Sequence, residues 1–212
     1  MSSRTLLRVC GAALIIGSLG LIISDVLTIA AGSSDTPPPY AALFALVGIM
    51  ALVFGLPGLL VGQAAKAGIV GLIGWVLFVC SAMLAIGLYV NALIFLPAVG
   101  AQVPQGGQDV APPASIFAFI IVATLVQLLG GLVLGIATLR ARVFPVAIGW
   151  LLIASAVLAG LAFPLEGMAN TIVSGVSDLL LALALSWSGY LLTKTARTAA
   201  QEVPMPARAA NG

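Results

Sequence analysis

Few residues in this chain are able to do chemistry, and the most unusual of them sit inside apolar sequence. Asp178 lies in Val176-Ser177-Asp178-Leu179-Leu180, and Asp25 in Ile23-Ser24-Asp25-Val26-Leu27. Each carboxylate follows a serine within a long apolar run. Gln127 is a third polar group in such a run. An ionised carboxylate in hydrocarbon costs about 2.5–3.5 kcal/mol on insertion scales. No apolar run contains a Lys or Arg near its middle to pair with it. Each aspartate must then be neutralised, hydrogen-bonded, or reached by water or a cation. Ser24, Thr28, Ser174 and Ser177 are near enough in sequence to donate hydrogen bonds.

Other chemistries are poorly served. The chain has no histidine, the commonest general base and metal ligand. Cys10 and Cys80 lie in apolar runs and read as small fillers, with neither disulfide nor metal spacing. There is no HExxH, P-loop or GxSxG pattern. A paired-aspartate or Ser/His intramembrane protease motif is also lacking. The expectation is a non-enzyme with no metal and no cofactor. The basic residues form no patch, which argues against a nucleic-acid partner.

The elements that must position Asp25, Gln127 and Asp178 follow from composition. Of 212 residues, 62% are hydrophobic and 7% charged, against about 25% charged in a soluble domain. The solvent must be lipid. Apolar runs able to cross a hydrocarbon core of about 30 Å lie near 9–31, 40–62, 69–97, 115–138, 144–163 and 170–193. The expected fold is therefore all-α: a polytopic integral membrane protein with six transmembrane helices in one compact bundle, a single domain over 1–212. The third run exceeds what it needs, so its tail should tilt, kink at Pro97 or lie in the interface.

Charge sets the orientation. Arg4, Arg8, Lys66, Arg140, Arg142, Lys194, Arg197 and Arg208 all fall at one set of ends, whereas the alternate loops carry only Asp35, Asp109 and Glu166. Lys and Arg stay on the cytoplasmic side, which predicts a multi-pass plasma-membrane protein, bacterial by its short loops and Ala/Gly/Leu-rich runs, with both termini inside. Trp75, Trp150, Trp187 and Tyr190 then come near the inner interface, and Tyr40 and Tyr89 near the outer one, as in aromatic belts. A competing reading takes the first run as a signal peptide cleaved near Ala30, but the run is longer than the usual h-region. Residues 32–39 and 99–114 read as outer loops and 63–68 as a short basic loop. The tail from 199 to 212 reads as disordered.

Two patterns concern packing. Residues 59–75 and 134–150 end in the same Ile-Gly-Trp word, with basic residues at nearly the same offset. This suggests three parallel helix-hairpin repeats. The even-numbered spans also share a face at i, i+3, i+7, i+10 or i+11, and i+14, within roughly an 80° arc. It reads Gly48, Ala51, Gly55, Gly58, Gly62 in span 2 and Thr124, Gln127, Gly131, Gly135, Thr138 in span 4. In span 6 it reads Gly175, Asp178, Ala182, Ser186, Gly189. Small residues let backbones approach closely where lipid gives no hydrophobic drive, so these stripes should face other helices, within the chain or in a second copy. Asp178 and Gln127 share the second position and are candidate direct partners. Asp25 lies on the flank of the Gly17/Gly20/Ser24/Thr28 face, where a structural role is favoured.

Two functions follow. The first is a non-enzymatic structural or interaction component of the membrane, whose partners are the bilayer and a homo-oligomeric or other membrane-protein contact. The second is a small-solute or proton/cation-coupled permease using Asp178, Gln127 and Asp25.

Overall fold

The computed structural model describes residues 3–32, 37–95, 114–165 and 167–201. All regular structure among them is helical. Helix α1 is Ser3–Ala30. The stretch Pro39–Val90 is helical throughout but breaks at Gly68, giving two arms, α2 (39–67) and α3 (69–90). A π-helical turn, Asn91–Phe95, ends the second arm. Helices α4 (Ala114–Ala141), α5 (Val146–Ala162) and α6 (Gly167–Gln201) follow. Five segments are long and apolar enough to cross a membrane, and α5, of 17 residues, is a shorter apolar helix.

The chain is thus a membrane-embedded apolar helical bundle. Several boundaries differ from the apolar runs. The expected 63–68 loop is not a loop: α2 and α3 meet at one residue. Gly68 has φ 59° and ψ −153°, a backbone state essentially reserved for glycine. One such residue reverses the chain, and Lys66 sits at the turn. The α3 tail does not continue to Pro97 as an α-helix but widens into the π turn, and Pro97 lies outside the described residues. Residues 199–201, expected in a disordered tail, continue α6; 202–212 lie outside the described residues, as do Asp35 and Asp109.

The helices pack as a ring in chain order. Each contacts its sequence neighbours, and α6 closes on α1. Small residues make the closest approaches. A Cβ on Gly17 would lie 2.7 Å from the Gly48 carbonyl oxygen, joining α1 to α2. One on Gly74 would meet the Leu134 backbone nitrogen at 2.6 Å, joining α3 to α4. Gly135 and Gly149 do the same for α4 and α5, and Gly11 and Gly189 for α1 and α6. Gly55 and Gly58 seat Leu14 and Cys10, Gly62 lies against Leu192, and Gly131 lies against Ala156. These stripe positions are filled inside the chain. Gly175 is looser, its nearest neighbour being Ile29 at 3.9 Å. Outward, Ile16, Phe54, Ile69, Leu129 and Leu161 present an apolar surface, as lipid requires. Cys10 is buried and Cys80 exposed.

The two Ile-Gly-Trp words fold differently at their last residue. Trp75 is half-buried, and its Nε1 donates to the Leu56 carbonyl at 3.0 Å, tying α3 to α2. Trp150 is 60% exposed. The glycines are alike in packing on α4.

The half of the ring nearest Arg8, Lys66 and Arg140 holds the large apolar side chains, with one apolar cavity of about 230 Å³ between Leu7, Gly62, Phe144 and Leu192. Leu14, Leu56, Leu59, Leu134, Ile148, Leu152 and Leu185 are all fully buried there or toward the middle. Gln63 is embedded in this plug at 1% exposure. Its Oε1 accepts from the Thr138 hydroxyl at 3.2 Å, and its Nε2 has no partner among the described residues. Thr138 also donates to the Leu134 carbonyl at 2.8 Å, so it keeps an acceptor without Gln63. Gln63→Leu is therefore expected to match or exceed wild-type stability, by about 1 kcal/mol. A melting temperature of the detergent-purified variant several degrees below wild type would show that the amide is satisfied in another way.

Candidate functional site

The opposite half of the ring is hollow. Helices α1, α3, α4 and α6 bring short polar side chains to its wall, one helical turn apart on each helix. On α1 these are Ser24, Asp25 and Thr28. On α6 they are Asn170, Thr171, Ser174 and Asp178. Together with Tyr89 of α3 they enclose a polar cavity of about 180 Å³. Asp178 also lines a second cavity, of about 100 Å³, between Phe78, Ser81, Ala85 and Tyr89 of α3 and Gln127 of α4. A third, of about 570 Å³, runs between α4, α5 and α6. Asp178 lies on the wall of all three, and Gln127 on two.

The sequence-derived candidates are placed as follows. Asp178 faces into the ring, as its small-residue face requires. Gln127 lies across from it, yet among the described residues no hydrogen bond joins the two; space separates them. Asp25, beside the small face of its own helix, shares the polar chamber of about 180 Å³ with Asp178. The first and last helices thus deliver two carboxylates to one cavity.

Three of the four hydroxyls expected to donate to these carboxylates donate elsewhere. Thr28 donates to the Ser24 carbonyl at 2.9 Å and Ser174 to the Asn170 carbonyl at 2.8 Å, each within its own helix. Ser177 donates across to the Ser155 carbonyl of α5 at 2.8 Å. Among the described residues, none donates a hydrogen bond to Asp25 or Asp178. No Lys or Arg of the described residues lines any of the three.

Tyr89, expected near the outer interface, lines the two smaller cavities, an inward-facing role not assigned to it from the sequence. A signal existed. Ser81, Ala82, Ala85 and Tyr89 recur at helical spacing on one side of α3, a polar and small stripe that points inward.

Among the described residues, no three His, Cys, Asp or Glu side chains come together. The donor set is two carboxylates with hydroxyls, amides and a phenol, which suits a monovalent cation, an ammonium group or water better than a transition metal. The chain matches no protein-family model, no curated protein and no solved structure.

Proposed function

We propose that the protein is a small non-enzymatic permease of the plasma membrane that takes up a cation, or a solute coupled to one, into an acidic vestibule. One observation carries this reading: Asp25 and Asp178, neither accepting a hydrogen bond from a side chain of the described residues, wall a single cavity at one end of the ring. Ionisable residues inside a membrane bundle mark pathways by default. The basic residues cluster at the other end, so the positive-inside rule directs the vestibule outward and both termini to the cytoplasm. The leucine plug then forms the inner closure of a six-span bundle. Three helix-hairpin repeats fit this arrangement, each pairing one outward-running and one inward-running span.

The alternative, a structural or interaction component, drew its support from the glycine stripes. Those stripes are taken up by contacts between helices of the same chain, which leaves little of that surface for another protein.

The test is cation flux in proteoliposomes. Purified protein reconstituted with an internal cation-sensitive dye is expected to admit a monovalent cation faster than empty vesicles. Asp178→Asn and Asp25→Asn should each cut the rate at least about tenfold while the proteins remain monodisperse. Equal rates for wild type, both variants and empty vesicles across the alkali cations and ammonium would dismiss the permease reading.

A further inference from the structure

The three cavities differ in a way that separates their ligands. The chamber shared by Asp25, Asp178 and Tyr89 is small and mostly polar, with Ile29 and Pro37 as its apolar wall, and is large enough for water and one bare cation. The cavity between α4, α5 and α6 is about 570 Å³, inside the range of roughly 300–1,000 Å³ that holds small organic ligands. Its wall is divided. At its rim Phe117 and Phe163 form a tilted aromatic pair with ring centroids 6.4 Å apart, and Ile120 and Ala159 continue the apolar side. The α6 side is polar, with Asn170, Ser174 and Ser177 beside Asp178, and Gln127 of α4 completes it. An aromatic and apolar side facing a polar side with one carboxylate is complementary to a molecule with a ring at one end and a fixed positive charge at the other. Cations of that kind gain from aromatic faces as well as from the carboxylate.

Resting on the permease reading, we infer that the cavity between α4, α5 and α6 binds a lipophilic organic cation of the substituted-ammonium class, its charged group at Asp178 and its ring against Phe117 and Phe163. Because Asp178 also walls the small polar chamber, an organic cation in one and a small cation in the other draw on the same carboxylate. The two ligands compete.

The probe is radiolabelled benzyltrimethylammonium, whose charge does not vary with pH, bound to the purified full-length protein. Tetramethylammonium, which has the same head and no ring, should compete about tenfold more weakly than unlabelled probe. Phe117→Ala and Phe163→Ala together should bring the probe down to the level of tetramethylammonium. These rim positions are 54% and 40% exposed, so the pair should fold. Asp178→Asn should weaken binding by about 100-fold. Asp25→Asn should leave probe affinity within about threefold but reduce competition by small cations. Equal affinity for the two ammonium ions, or no effect of the double phenylalanine variant, would remove the organic-cation assignment. If no probe binds while an Asp178-dependent cation flux persists, this inference falls and the permease reading stands. If that flux is also absent, both fall.

Discussion

Gly189→Leu should prevent the bundle from closing. Gly189 and Gly11 bring α6 and α1 into backbone contact: a Cβ on Gly189 would lie 2.5 Å from the Gly11 carbonyl oxygen, and one on Gly11 2.6 Å from that of Gly189. The obstructing atoms are backbone, which cannot rotate away as a side-chain tip can. Leu14 and Ile15 crowd the same spot at 3.1 and 3.2 Å. In lipid no hydrophobic force restores helices pushed apart, since acyl chains solvate an isolated apolar helix as well as a neighbour does. The expected loss is about 3 kcal/mol or more, beyond the usual cost of overpacking a core. The variant should purify as a polydisperse or aggregated species in mild detergent. Gly175→Leu, on the same helix, meets only Ile29 at 3.9 Å and should stay within about 1 kcal/mol of wild type. Similar thermal stability for the two variants would show that α1 and α6 do not touch as described.

Asp25→Lys should separate stability from activity. The wild-type chamber holds two carboxylates facing one volume, with no Lys or Arg of the described residues on its wall. Lysine at position 25 supplies an ammonium on a flexible stem within reach of Asp178 and converts like charges into a pair. Thermal stability should equal or exceed wild type, since opposite charges in a weakly screened site attract. Cation uptake should fall by about 100-fold, because the tethered ammonium occupies the place of the transported ion. Asp25→Asn removes the carboxylate without offering a substitute cation and should impair uptake less. If Asp25→Lys transported as well as wild type, Asp25 and Asp178 could not share a cation. If it were strongly destabilised, the two residues would not face each other.

Much of this arrangement was legible in the residues. The apolar runs marked the long apolar helices, because burial in lipid tolerates so few charges. The spacing of Gly48, Gly55 and Gly58 marked a contact face, since only small residues allow backbones so near. What the spacing could not supply was the partner of each face. Gly131 meets α5 and Gly55 meets α1, although their helices show the same pattern. Asp25 was read from its own helix, where it falls beside the small face. Its place is decided by α6 and α3, which leave the hollow it borders. Tyr89 was drawn to the interface by its type, although its stripe turned it inward. The turn at Gly68 was hidden because a reversal made by one glycine leaves no polar loop to notice.

The ring in chain order has a consequence for how the protein comes into being. Asp25 belongs to the first of the described helices to be synthesised, and Asp178 to the last. Until α6 enters the membrane and meets α1 through Gly11 and Gly189, the acidic chamber has only one of its two flanking walls. A nascent chain paused at any earlier helix carries Asp25 but no enclosed volume beside it. Completion of the bundle and creation of the chamber are a single event, so partly made copies in the bilayer hold no finished chamber.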